Sequence, residues 1–283
     1  MSQWEGLIRG RTLRNVLSIG GMTAARPAIV RPQAGEWRAL DGRQAVGFAH
    51  AAPRPDRRWF VWLDSWRADA YEALLAAVSD DIQQDLYITV DESDYEQLDR
   101  CSLLGFVVNR REDEYLVPTD AALTGLADAR LPAGLHAVSA TDTEADALRA
   151  LDDLLRADVP GTDGWVNDPA EFLEYTFDPW HFDAGTYLVA IDEATGEYAG
   201  LVRVWNEYRR RRLGLIGVVA GYRRQGVARA LLATAFRSLH DQAVGEVTAE
   251  VDLTNTACAS LLRKLGARRT GGSVELLRRH RAR

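Results

Sequence analysis

Apolar residues along this chain recur at two periods, and the change from one to the other lays out the elements. Ala70, Leu74, Leu75 and Val78 fall at helical spacing and predict a helix over 67–78, whereas Leu86 to Val90 alternates as a strand does. Before them, strand-like stretches run from Glu36 to Leu63, around turn signals at Asp41-Gly42 and at Pro53 to Pro55. Asp94 is a suitable N-cap for a helix that Gly105 stops after Leu104. Trp4 to Leu17 reads as an amphipathic helix broken at Gly20-Gly21, and Pro118 to Gly134, rich in Ala, Gly and Pro, reads as a linker.

A similar order then returns. Leu135 to Val138 predicts a strand and Thr143 to Leu155 a helix; Tyr187 to Ile191 and Tyr198 to Trp205 predict a hairpin around Thr195-Gly196. Leu213 to Val219 reads as a strand, Gly226 to His240 as a helix, Glu246 to Val251 as a strand and Asn255 to Leu265 as a helix. Short strands near Arg268 and over Val274 to Leu277 follow. Val90-Asp91 precedes Leu104-Gly105 by the spacing at which Val251-Asp252 precedes Leu265-Gly266, which sets Asp94 opposite Asn255. Val46-Gly47-Phe48 sits where Ala199-Gly200-Leu201 sits, just after a hairpin turn. The pattern predicts a mixed α/β protein made of a duplicated domain, divided as 1–128 and 129–283.

Composition narrows the classes without naming one. The 283 residues are 47% hydrophobic and carry a net charge of −7, which fits a folded protein of two domains and argues against a general nucleic-acid binder. No apolar run is long enough to span a membrane, and Arg9, Arg11 and Arg14 stand where an export signal would be apolar, so a cytoplasmic protein is expected. Cys101 and Cys258 cannot build a disulfide framework or a four-cysteine zinc site; the histidines make no ligand spacing, and no metal is expected. Lys264 is the only lysine, which points to coding bias sooner than to arginine chemistry. Between Asp152 and Asp183 nine acids face one arginine, Arg156, among aromatic residues that include Trp165 and Trp180. That segment is either a solvated loop or a pocket lip for a cationic ligand, with Asp158, Asp163, Trp165 and Trp180 as its candidate contacts.

The most informative stretch is Val218-Val219-Ala220-Gly221-Tyr222-Arg223-Arg224-Gln225-Gly226-Val227-Ala228: an apolar strand, a glycine- and arginine-rich turn, then a helix that opens on small residues. The first N–H groups of that helix lack intrahelical partners, and the helix dipole adds about half a positive charge there. Gly226 and Ala228 leave room for a diphosphate to approach the backbone.

From Leu135 to Leu277 the sequence resembles the GCN5-related N-acetyltransferase (GNAT) family. Arg223-x-x-Gly226-x-Ala228 matches that family's pyrophosphate loop, and VTAEVDLTNTACASLLRKLGA, from Val247 to Ala267, matches the strand–Asn–helix–Gly segment that follows it. The resemblance implies two GNAT-like domains, each a mixed central sheet flanked by helices, with acetyl-CoA as cosubstrate of the second. It implies that the amides of Gln225, Gly226, Val227, Ala228 and Arg229 hold the diphosphate, with Arg223 and Arg224 beside it. Val218, Val219 and Ala220 would pair with the pantetheine arm, one of their N–H groups stabilising the thioester oxyanion. Asn255 would contact the arm or cap its helix, and both roles stay open. The first half offers Leu63-Asp64-Ser65-Trp66-Arg67 in place of the loop, with no glycine and an acid, so that copy is expected to bind no CoA.

Acetyl transfer needs a neutral amine, hence a base or a water chain. The resemblance implies Glu250, five residues before Asn255; a structural carboxylate is the other reading, and Glu207, Asp252 and His181 are weaker candidates. Thr248, Glu250 and Asp252 share one strand face and Val247, Ala249 and Val251 the other. The family's acid, a tyrosine seven residues after the asparagine, is replaced by Leu262; Cys258, Ser260 and Tyr222 read as packing residues. The expectation is an N-acetyltransferase acting on a small, cationic, antibiotic-like amine, as a monomer or homodimer, with no nucleic-acid or membrane partner. A biosynthetic enzyme for a thiol-cofactor precursor and a non-catalytic CoA-binding module are the alternatives.

Overall fold

The computed structural model describes residues 26–207 and 210–280. The helix expected over Trp4 to Leu17 and the break at Gly20-Gly21 lie outside the described residues. The chain forms two compact units, one running to Arg110 and including the chain from Val274 on, the other Arg111–Ser273.

In the first unit β1 (Ala28–Val30), β2 (Glu36–Asp41), β3 (Gln44–Pro53) and β4 (Trp59–Ser65) pair antiparallel in sequence order. Helix α1 (Ala68–Ile82) then crosses over, and β5 (Leu86–Asp91) pairs parallel to β4. After α2 (Tyr95–Leu103) the chain enters β6 (Val107–Pro118), whose first four residues belong to this unit. The neighbour of β5 on its far side is β12 (Arg268–Arg278), a strand from the other end of the sequence. One face of α1 closes the core: Ala70, Leu74, Leu75 and Val78 pack with Trp37, Val90, Phe106, Val274 and Leu276.

In the second unit the short helix α3 (Ala121–Thr124) precedes β7 (Leu135–Ser139), α4 (Ala145–Arg156) and α5 (Phe172–Thr176). Strands β8 (Tyr187–Asp192), β9 (Tyr198–Glu207) and β10 (Arg210–Val218) follow, then α6 (Val227–Asp241), β11 (Glu246–Asp252) and α7 (Thr256–Lys264). The strand order is β6-β11-β10-β9-β8-β7, antiparallel except for β10 with β11. Both faces of this sheet are covered, which is why β8 and β9 are apolar nearly throughout. Val202 and Val204 pack on the α6 side with Leu231, Phe236 and Leu239. Leu201, Tyr187 and Val189 pack on the α4 side with Leu148, Leu151 and Phe172.

The two units repeat one order of elements. β2 and β8 have 6 residues each, β3 and β9 have 10, α1 and α6 have 15, and α2 and α7 have 9. Asp94 accepts the N–H of Gln97 at 3.0 Å and Asn255 that of Cys258 at 3.1 Å, each the N-cap its position predicts. The second unit differs in carrying α4 and α5 between β7 and β8.

Three expectations are corrected. Residues 118–134 are not a linker: Leu126 is buried in the second core, and Asp120 caps α3. The units divide after Arg110, not after residue 128, and the chain from Val274 returns to the first unit. The two short strands expected near Arg268 and over Val274 to Leu277 are one, while β6 was not expected at all. Its run of Asn109, Arg110, Arg111, Glu112, Asp113 and Glu114 hides the alternation, and only Tyr115 and Val117 are buried.

Candidate functional site

The site begins where two parallel strands part. β10 pairs with β11 only at Arg212 opposite Thr248 and Leu213 opposite Ala249, although β10 continues to Val218. A register shift between Leu213 and Leu215 turns β10 away, leaving a wedge between its last residues and Glu250 to Asp252. The Val219 N–H donates to Ala199 O at 2.9 Å and so faces β9. The Val218 N–H, one residue earlier in an extended strand, faces the wedge.

The chain then makes a single 3-10 turn over Ala220–Tyr222, and Arg224 and Gly226 take positive φ, +65° and +92°. Gly226 is the N-cap of α6, without a side-chain cap. Among the described residues, no acceptor meets the N–H groups of Gln225, Gly226, Val227, Ala228 or Arg229; the first bonded one is that of Ala230, to Gly226 O at 3.0 Å. Nothing lies within 4 Å of the position a Cβ on Gly226 would take. Arg223, Arg224, Gln225 and Gly226 are exposed. Surface depressions lie beside this turn, one touching Tyr222 and Gln225, the other lined by Ala230, Thr234 and Arg237 of α6. A row of unpaired donors, a glycine with open space around it and an adjoining wedge fit the diphosphate and arm of acetyl-CoA.

Two arginines of the motif are engaged elsewhere. Arg223 donates from Nε to Val218 O at 2.8 Å and forms an ion pair with Asp158. Arg229 donates to Gly125 O at 2.6 Å, tying the start of α6 to the segment after α3.

On the face opposite α6 the sheet is charged. Glu207 accepts from Arg210 Nε at 2.8 Å and from Arg212 Nε at 2.5 Å. Burial raises its pKa, but Arg212 and then Arg210 outweigh it and hold the carboxyl below its usual range. Glu250 is half-buried at the edge of the wedge, 4.0 Å from Arg210 and 3.7 Å from Arg212. Val247, Ala249 and Val251 pack in the core, as the alternation predicts. Asp252 is buried and spends its carboxylate on the N–H and hydroxyl of Thr254, at 2.8 and 2.5 Å. His181 pairs with Asp178 at 2.9 Å and packs edge-on against Trp205.

The other expected residues are scattered. Asp158 is taken by Arg223; Trp165 lies by Arg156, whose guanidinium is 5.7 Å from the ring centroid; Asp163 and Trp180 are exposed. The structure therefore does not gather Asp158, Asp163, Trp165 and Trp180 into one pocket. Leu262 is 0% exposed in the core, so the side chain at this position points away from solvent. Burial pushes the Cys258 thiol up to about 11, against any nucleophilic role. Tyr222 donates to Asp192 at 2.9 Å, and that bond raises its pKa.

In the first unit β4 and β5 also pair at only two positions, Trp59 with Leu86 and Phe60 with Tyr87. The loop is missing: β4 ends at Ser65 and α1 starts at Ala68. Ser65 Oγ accepts the Arg67 N–H at 3.1 Å, and Asp69 sits in the first turn of α1, bonded to Arg67 and to the Ala70 N–H. A carboxylate already occupies the end of that helix; it comes from Asp69, whereas Asp64 lies within β4 opposite Phe48.

Sequence reasoning passed over Arg203, Trp205 and Tyr187. Arg203 is 5% exposed, its guanidinium carbon 3.4 Å above the Trp205 ring centroid and 4.9 Å from that of Tyr187. Its only signal was an arginine inside the apolar run Leu201-Val202-Arg203-Val204-Trp205.

Residues 148–267 match the model of the acetyltransferase (GNAT) family. The fold is similar to that of a GCN5-related N-acetyltransferase from Sphaerobacter thermophilus, at TM-score 0.68 and 17% identity over 89% of this chain and 83% of that one. It is similar, too, to a tandem GNAT protein from the clavulanic acid biosynthesis pathway, at TM-score 0.67 and 19% identity over 88% and 83%. A GCN5-related N-acetyltransferase from Kribbella flavida gives 0.55 and 14%, with 89% of each chain covered. No curated protein sequence matches the chain.

Proposed function

We propose, from the match of residues 148–267 to the acetyltransferase (GNAT) family model, that the protein is an acetyl-CoA-dependent N-acetyltransferase acting on a primary amine of a small, cationic molecule. The row of unpaired N–H groups from Gln225 to Arg229, at the end of the wedge between β10 and β11, carries this reading. Acetyl-CoA supplies an acetyl thioester. The N–H groups of α6 bind its diphosphate, helped by the positive end of the helix. The wedge takes the arm, and the Val218 N–H is the donor facing the acyl oxygen. Glu250, at the mouth of the wedge, accepts the proton of the acceptor ammonium directly or through water. Arg210 and Arg212 hold that carboxylate in place and compete with the ammonium for it. With Leu262 in the core, the leaving thiolate takes its proton from water, which suits a thiol whose ordinary pKa is about 8.5.

The first unit is a structural partner with no CoA site, since the turn into α1 lacks a loop and is closed by Asp69. A specific observation favours a second reading, a CoA-binding module without catalysis: the tyrosine position is core. Calorimetry with acetyl-CoA and CoA release over a panel of amines separate the two. Binding of one acetyl-CoA per chain with turnover of any amine supports the transferase; binding without turnover favours the module; no binding ends both.

A further inference from the structure

A buried guanidinium with no ion-paired acid among the described residues is the least explained group in the second unit. Tyr187 and Arg203 are register partners across β8 and β9, so their side chains lie together on the face opposite α6. Arg203 donates only through one terminal nitrogen, at 3.4 Å to Tyr175 O and at 3.4 Å to Thr176 O, and its other nitrogens make no hydrogen bond among the described residues. No carboxylate of the described residues lies within ion-pair distance of it. Asp152, the acid whose field it feels, is committed to Arg156 and to Asn167 at 2.9 Å. Arg156 and Arg212 add repulsion, and burial is the main cause that pulls the Arg203 pKa down to about 10. The Tyr187 hydroxyl is buried with no hydrogen-bond partner among the described residues.

Such an arrangement is costly as a purely structural device. Cation–π contacts with Trp205 and Tyr187 and two long carbonyl bonds return little of what desolvating a guanidinium takes away. Neighbouring buried donors, one a guanidinium with only long carbonyl bonds and the other a hydroxyl unpartnered among the described residues, are groups that an anion can satisfy, and a planar guanidinium suits a carboxylate. The same face carries the candidate base: Trp205 is the register partner of Arg212, Arg212 that of Thr248, and Glu250 follows Thr248 by two residues on the same side of β11. A small acceptor could span from Glu250 to Arg203 along the strand face, its ammonium at the first and its anion at the second.

We propose that Arg203 and Tyr187 form a carboxylate-binding subsite of the acceptor pocket, so that the amine acetylated is of the amino-acid class. The carboxylate replaces the Tyr175 and Thr176 carbonyls as the partner of Arg203. This inference rests on the transferase reading, and it specifies the acceptor as one that carries, besides its ammonium, a carboxylate.

The test compares glycine, L-glutamate and L-phenylalanine with their α-carboxamides as acceptors, by release of CoA. The full chain is expected to prefer the acids by about tenfold or more in kcat/KM, the worth of a charge-assisted bond. Arg203→Met is expected to bring that ratio to about one with the acetyl-CoA KM unchanged, and Arg203→Lys to keep part of it. Tyr187→Phe, which keeps the ring and the fold, lowers the ratio less. Equal rates for acid and amide in the wild type, or a preference that survives Arg203→Met, overturn the subsite and leave the transferase standing. If no amine turns over, thermal unfolding with N-acetyl-phenylalanine against its amide reads the subsite alone. A larger rise with the acid, lost in Arg203→Met and reduced in Tyr187→Phe, supports it while the transferase reading fails; equal rises overturn it.

Discussion

Gly226 holds φ at +92°, where a side chain costs roughly 1–2 kcal/mol, yet no atom would touch its Cβ. Gly226→Ala should therefore lower stability by only about that much while weakening acetyl-CoA binding by tenfold or more, because the methyl group intrudes where phosphate meets backbone. Calorimetry and thermal unfolding read the two effects separately. Leu262→Tyr tests the opposite kind of site. The position is fully buried, so the larger side chain should destabilise by about 1–3 kcal/mol without raising kcat. Glu207 gives a pH signature. Its folded pKa lies below the unfolded value near 4.5, so the stability it adds is present above that value and is lost as pH falls through the folded pKa. Glu207→Gln should flatten that part of the acid-unfolding curve. Residues whose roles are set by neighbours in sequence were legible beforehand: Asp94, Asn255 and Gly226 announce caps and turns within a few positions. Arg203 was not, because its meaning depends on Tyr187 across the sheet and on the lack of an ion-paired acid among the described residues, neither of which a strand pattern contains.

Among the elements, β10 does the most for the site, since its shift at Gly214 opens the wedge. A Cβ on Gly214 would stand 2.2 Å from Trp205 Nε1, so the indole lies flat only because the residue is glycine. Gly214→Ala should displace Trp205 and raise the acceptor KM several-fold, while the acetyl-CoA Kd, set by α6 and the end of β10, stays within about twofold. Helices with one apolar face and strands with clear alternation were placed to within a few residues from the sequence. Four elements escaped: β1, three residues long; α3, four residues inside the stretch read as a linker; β6, whose central residues are charged on both faces; and α5, five residues long in a segment read for its acidity. Short or edge-like elements bury too few side chains to print a period, and tertiary pairing decides them.

Across the whole molecule, the boundary was the part least visible in the sequence. The Ala, Gly and Pro content of 118–134 suggested a linker, but apolar packing around Leu126 makes that stretch part of the second unit, and the division falls inside a strand. Fragments test this. Residues 111–273 contain the partner of β11 and should stay soluble and bind acetyl-CoA, whereas 129–283 lack β6 and leave β11 as an open edge. Circular dichroism and gel filtration of the two fragments check the expectation; equal behaviour would place the boundary at 128 after all.

The pairing of β5 with β12 also bears on how the protein is made. The earlier half leaves the ribosome with Leu86–Asp91 as an unfinished sheet margin, and nothing can complete it until residues 274–278 are translated. Until those codons are read the first unit lacks one of its strands, so the half that emerges first is completed last.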